Sequence, residues 1–154
     1  MEDVIAVLVG DHRLITGLLE QLDEEDRPAE MRALFLRIAS ELAAHEAAED
    51  DVVFPAVRAA VPADSDEVLA LLAGHDEVNS LLTEMLCLDP AGFGFAKRAA
   101  ALVVELQAHF AEEEEVVFPE VRSVLGSEEL AGLASRVRMA RRLAPIFPAK
   151  RANA

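Results

Sequence analysis

Four histidines, His12, His45, His75 and His109, are spread through the 154 residues, and two of them carry a glutamate four positions later: His45 with Glu49, and His109 with Glu113. Residues at i and i+4 of a helix lie one turn apart on the same face. Each pair can therefore offer an imidazole nitrogen and a carboxylate oxygen to one small volume, a donor set that suits iron, manganese or zinc. The lone cysteine, Cys87, leaves no material for a disulfide framework or a cysteine-rich zinc or iron–sulfur site. It is expected to be a buried small apolar group in a protein of a reducing compartment.

The histidines are related by an internal repeat. Residues 45–58, HEAAEDDVVFPAVR, laid on 109–122, HFAEEEEVVFPEVR, agree at nine of fourteen positions. The segment from His12 to Leu19 aligns with that from His75 to Leu82 in the same sense. A helical hairpin is thus duplicated, and every histidine has a counterpart: His12 with His75, His45 with His109.

The elements that must carry these residues are legible from turn and cap signals. A first helix is expected over about 2–23, ending in Asp23-Glu24-Glu25-Asp26-Arg27, and Pro28 opens a second that runs to about Ala60. Pro62 with Asp64, Ser65 and Asp66 starts a third, ending near Leu88. Gly92 and Gly94 precede a fourth over about 95–125, and Gly126-Ser127 with Glu129 opens a short fifth. Pro55 and Pro119, each after a phenylalanine, are expected to kink the second and fourth helices. No stretch alternates as a strand would, and Tyr and Trp are absent. The expected class is all-α: an up-down-up-down four-helix bundle over residues 1–140, then a basic tail over 141–154.

Apolar seams place the chemistry inside that bundle. Ile5, Leu8, His12, Ile15 and Leu19 follow a 3-4-3-4 spacing, and Val68, Leu71, His75, Val78 and Leu82 repeat it. Ile38, Leu42, His45, Glu49 and Val52, and likewise Leu102, Leu106, His109, Glu113 and Val116, run 4-3-4-3. Such stripes face a bundle axis. A buried carboxylate without a partner costs several kcal/mol, and each buried polar group lacking a hydrogen bond adds roughly 1–3. No Arg or Lys lies on the seams to offset two carboxylates, so metal cations are the expected compensation. Two ions fit the donor count, His12 and His45 on one, His75 and His109 on the other, with Glu49 and Glu113 between them. About four protein ligands per ion leave positions for solvent and an exogenous small ligand. The remaining members of the run Glu112–Glu115, and Asp50 and Asp51, are expected to be solvated.

Composition narrows the partners. With 29 acidic and 14 basic residues the formal charge is −15, which disfavours nucleic acid and anionic membrane. Residues 136–154 hold six basic groups and no acidic one, leaving eight basic residues against all 29 acidic ones in 1–135. A cationic last helix lying across an acidic body is the expected consequence. No apolar run is long enough to span a bilayer and the first residues are acidic, so a soluble, cytoplasmic protein is expected.

His12, then His45-Glu46-x-x-Glu49 with Phe54-Pro55, then His75, then His109-x-x-x-Glu113 with Phe118-Pro119, resemble the hemerythrin-like HHE cation-binding domain from about residue 4 to 140. The resemblance implies a four-helix bundle holding two non-haem iron ions with an oxo or hydroxo bridge, and roles in binding dioxygen or nitric oxide, in iron or redox sensing, or in peroxide handling. Oxygen-carrying members have a further histidine one turn after the third-helix ligand, where this chain has Asn79. In related domains a glutamate directly after the second-helix histidine is an extra ligand, which would make Glu46 the seventh metal residue; its counterpart in the fourth helix, Phe110, cannot ligate. The favoured function is binding of, or reaction with, dioxygen, nitric oxide or peroxide. Catalase-like decomposition of peroxide and a metal-dependent structural or regulatory module are the alternatives, so the sequence leaves open whether the protein is an enzyme. A ferritin-like site, with Glu on two helices and Glu-x-x-His on the others, fits less well because helices one and three supply histidine.

Overall fold

The computed structural model describes residues 2–62 and 75–148, and among these every regular element is helical. Helix α1 (Val4–Glu24) starts where the Asp3 carboxylate accepts the Ala6 N–H at 2.9 Å, a cap worth about 1 kcal/mol. Pro28 occupies the first turn of α2 (Pro28–Ala48), where its missing N–H leaves no bond unmade. A π-helical turn (Glu49–Val53) leads into α3 (Phe54–Ala60). Helix α4 (Asp76–Leu86) and α5 (Phe93–Glu112) follow, then a second π turn (Glu113–Val117), α6 (Phe118–Val124) and α7 (Ser127–Leu143). At the start of α7 the Glu129 carboxylate accepts the Gly126 N–H at 3.0 Å.

The two prolines act through the π turns. Proline at 55 or 119 has no N–H to give the carbonyl four residues earlier, and its ring crowds that carbonyl. The backbone stays helical but widens by one residue: the Phe54 N–H reaches the Glu49 carbonyl, and the Phe118 N–H reaches that of Glu113. At the two predicted kink sites α2 leads into α3, and α5 into α6, through a wide turn that begins at a seam glutamate.

Packing is divided into two apolar clusters. One holds Val4, Ile5 and Leu8 of α1 with Val53 and Val57, Val117 and Val121, and Leu130 and Val137 of α7. The other holds Ile15 to Leu22 of α1 with Phe35 to Leu42 of α2, Val78 to Met85 of α4, and Phe95 to Phe110 of α5. Helix α1 enters the first cluster early and the second late, whereas α2–α3 and α5–α6 do the reverse, so both run antiparallel to α1. His12, His45, Glu49 and Glu113 fall between the clusters, in a buried polar layer with apolar packing above and below. Phe35, fully buried against the edge of Phe95, anchors the second cluster. Beside it Arg32 donates to the carbonyls of Met85, Leu86 and Leu88, tying α2 to the end of α4, where the negative end of the helix dipole attracts a cation.

The last helix covers only part of this body, packing on α1, α2 and the first π turn. Arg141 pairs with Asp11 and lies 3.7 Å from Glu41, and Arg138 pairs with Glu2 at 2.7 Å, so α7 does lie across acidic groups. It continues to Leu143; Lys150 and Arg151 lie outside the described residues. Two expectations need correction. Cys87 is exposed, because it closes α4 while Met85 takes the inward position. Val116 is 46% exposed although its counterpart Val52 is 5% exposed, because α7 covers only the first π turn, and Val117 is the residue turned inward by the second. The predicted start of the third helix, Pro62 apart, and its seam residues Val68 and Leu71 lie outside the described residues.

Candidate metal centre

The structure gathers all four histidines and both seam glutamates. His12 comes from α1, His45 and Glu49 from the α2 junction with the first π turn, His75 from the residue before α4, and His109 and Glu113 from the α5 junction with the second. Each imidazole turns Nε2 towards the glutamates. His12 Nε2 is 2.9 Å from Glu113 Oε2, His75 Nε2 is 3.0 Å from Glu49 Oε2, and His109 Nε2 is 2.7 Å from Glu113 Oε1. His45 Nε2 stands 3.6 Å from Glu49 and 3.7 Å from Glu113. Two donor groups result, His12 with His45 and Glu113, and His75 with His109, Glu49 and Glu113, each with one ligand atom per residue inside a 4.8 Å sphere of mutual distances. Glu113 belongs to both.

These atoms are close together but poorly satisfied. His12 Nε2, both nitrogens of His45, both oxygens of Glu49, His109 Nε2 and Glu113 Oε2 are buried and make no hydrogen bond. Buried polar groups are ordinarily satisfied, and a cation among these atoms would satisfy them together. The electrostatics agree. Burial opposes protonation of His45, yet the carboxylates of Glu49, Asp11 and Glu113 outweigh it and push the pKa up to about 10. Burial likewise opposes a charge on His75, and Asp50, Glu49 and Glu46 raise it to about 11. Glu113 is raised by burial but held well below the usual carboxylate range by His109, His12 and His45. The layer is short of positive charge, which protons or a dication can supply. Neutral nitrogen and anionic oxygen donors without sulfur fit first-row divalent metals.

Behind three of the rings stands a second carboxylate. His12 Nδ1 donates to Glu114 Oε1 at 2.7 Å, His75 Nδ1 lies 3.8 Å from Asp50 Oδ2, and His45 Nδ1 lies 3.5 Å from Asp11 Oδ2. Such partners fix the tautomer and orientation of a ligating imidazole. Glu114 and Asp50 were both expected to be solvated: Glu114 is, with 43% of its side chain exposed, whereas Asp50 keeps only 14%. Each sits one residue after a seam glutamate, and each serves the histidine of the other half of the repeat, an exchange visible only once the halves are packed. Their equivalence in the repeat was a usable signal. Asp11 had none, because its counterpart in the repeat is Gly74.

Glu46 is buried, and burial raises its pKa, but its Oε2 accepts from Asn79 Nδ2 at 3.1 Å and it stands outside both donor groups. Asn79 therefore supplies no nitrogen to the site. Phe110, the counterpart of Glu46, stacks on His12 with ring centres 4.0 Å apart and planes 13° from parallel. A groove of about 410 Å³ lined by Asp76, Glu77, Glu105 and Glu112 reaches His109 from solvent, and a more apolar one of about 280 Å³, with Thr16, Leu19 and Val103, ends at Phe110.

The hemerythrin HHE cation-binding domain matches residues 3–121. The chain belongs to that family. A crystal structure of a hemerythrin HHE cation-binding domain-containing protein from Mycobacterium kansasii, the Rv2633c homolog, is 28% identical, with a TM-score of 0.79 over 93% of this chain and 90% of that one. A DNA nickase of Nostoc sp. is 28% identical over 92% of this chain, which spans 39% of that relative's length. The matched domain ends within α6, so α7 lies beyond it. The HHE domain is a cation-binding unit, and among the described residues of this one every regular element is helical. Among the described residues no helix is long and apolar enough to cross a membrane.

Proposed function

We propose that this HHE domain is an up-down-up-down four-helix bundle that holds two non-haem iron ions and binds or reacts with dioxygen, nitric oxide or peroxide. The observation that carries the reading is the set of buried, unbonded Nε2 and carboxylate atoms shared between two donor groups through Glu113. His12, His45 and Glu113 would hold one cation, and His75, His109, Glu49 and Glu113 the other. A bound iron pair, bridged by oxo or hydroxo, supplies reversible electron transfer and open positions for a small ligand.

The protein's own part is positioning and access. The ring backed by Glu114 keeps its proton on Nδ1 and leaves Nε2 free to ligate. Asn79, bonded to Glu46, withholds the additional nitrogen that an oxygen carrier uses, which favours reaction or sensing over simple carriage. The groove at His109 is lined by four carboxylates; it admits cations and neutral molecules and repels anions. That polar approach favours peroxide as the reactant of the second reading, catalase-like decomposition. The charge of −15 argues against carrying DNA over from the Nostoc relative.

Iron analysis joined to the optical spectrum of aerobically purified protein tests the proposal. The expected result is about two irons per chain, near-ultraviolet charge-transfer bands, and a change on adding nitric oxide or peroxide. Iron-loaded protein with a featureless spectrum that ignores both reagents overturns it. Oxygen release on adding peroxide, faster than from free iron, would select the catalase-like reading.

A further inference from the structure

The best-enclosed histidine is linked through Asp11 to a helix outside the matched domain. His45 is buried with its Nδ1 facing Asp11 Oδ2 at 3.5 Å, and neither atom has any hydrogen-bond partner. The other oxygen of Asp11 accepts from the Arg141 guanidinium, which reaches across from α7 and also lies 3.7 Å from Glu41. Asp11 itself is 6% exposed. A carboxylate so deep needs a fixed cation to remain in place, and among the described residues Arg141 is the one bonded to it. His12 and His75 are instead backed by acidic residues of the π turns, Glu114 and Asp50.

We infer that Arg141 and Asp11 are positioning residues for His45, so that α7, beyond the matched family domain, completes the cation site. Arg141 fixes the Asp11 carboxylate, and Asp11 fixes the ring with Nε2 turned towards Glu113 and Glu49. The inference rests on the reading of His45 as a cation ligand. It also assigns the arginine to one donor group of the two, because the ring that Asp11 faces is that of His45, a member of the His12–His45–Glu113 group.

Anaerobic titration of the full chain with ferrous ion, followed by bound metal per chain, tests this in the wild type and in Arg141→Met, Arg141→Lys and Asp11→Asn. Arg138→Met, which removes an arginine of the same helix paired to exposed Glu2, is the control. Wild type should bind two equivalents. Arg141→Met and Asp11→Asn should keep one and weaken the other by about 10–100-fold, the range usual for partners behind a metal ligand. Arg141→Lys should recover part of the loss, and Arg138→Met should match wild type. Thermal unfolding of each metal-free variant checks folding, and Asp11→Asn carries the test if Arg141→Met does not fold. Folded variants that bind like wild type, or that lose both equivalents equally, overturn the relay alone. Wild type that takes up no ferrous ion overturns the site, and the relay with it.

Discussion

His45 and His109 hold equivalent places in a duplicated sequence, each followed by glutamate, a π turn and Phe-Pro, yet they live in different surroundings. The His45 side chain is 1% exposed, enclosed by α1 and by the side of the body that α7 covers, with Asp11 at its back. The His109 side chain is 12% exposed and opens on a groove rimmed by carboxylates. The difference extends to neighbours: Phe110 against His12 in one half, the Glu46–Asn79 pair in the other. Duplication provided two sets of donors, and a helix that is not duplicated made one of them closed and the other accessible. Division of labour follows as an expectation, the enclosed group holding its cation firmly while exchange and reaction take place beside His109.

The strongest way to break this comparison is to exchange its apolar side. Phe110→Ala should destabilise the protein by about 3–5 kcal/mol, because it empties a packed position beside His12, whereas Glu46→Ala should cost about 1–3 by orphaning the Asn79 amide. Urea unfolding of the metal-free forms compares them, and equal losses would remove the asymmetry. Next comes Glu113, which faces both donor groups. Glu113→Gln should weaken both cations by more than about a hundredfold, beyond the usual effect of an outer partner, and Glu49→Gln should affect mainly the His75–His109 cation; metal content after dialysis tells them apart.

Metal removal sharpens the electrostatic side. At about a hundredfold excess of free metal over its Kd, binding adds about 2.7 kcal/mol of stability, equivalent to about 5–10 °C in Tm for a chain of this size. Without metal, His45 and His75 have pKa values raised above 6.5 to about 10 and 11, so their contribution is complete below that unfolded value and is lost as pH rises towards 10 and 11. Glu113, lowered from 4.5, contributes above that value and loses its share as pH falls further. Metal-free protein should therefore be most stable between about pH 4.5 and 6.5, and loaded protein should not decline above 6.5 in thermal melts, since a cation takes the place of those protons. The smallest expected effect is at the π turns. Val116→Thr should lie within about 0.5 kcal/mol of wild type, while Val52→Thr, under α7, should cost about 1–3 by burying a hydroxyl; similar values would deny the one-sided cover.

Much of the site was legible because the signals are local. The i, i+4 pairs and the seams place His45, Glu49, His109 and Glu113 on inward faces whatever the helices meet, and all four are turned inward in the structure. Glu46 shows where that logic stops. Its spacing allows it near the site, and the contact of its Oε2 with Asn79 of another helix depends on how the helices pack. Val116 shows the same for the seam: its counterpart Val52 has the same spacing across an equivalent π turn and is buried, so the cover that α7 gives to one turn decided the difference. Glu114 and Asp50 were hidden because an acidic run reads as solvated surface until the partner half supplies an imidazole.

The helices, their duplication and the identity of the inward donors were determined by the sequence itself, since periodicity and backbone chemistry act within one element. Which carboxylate stands behind which ring, which half is enclosed and where Arg141 ends were decided only by the tertiary structure. Asp11 and Arg141 are 130 residues apart, and no pattern along a chain encodes the register at which two helices dock.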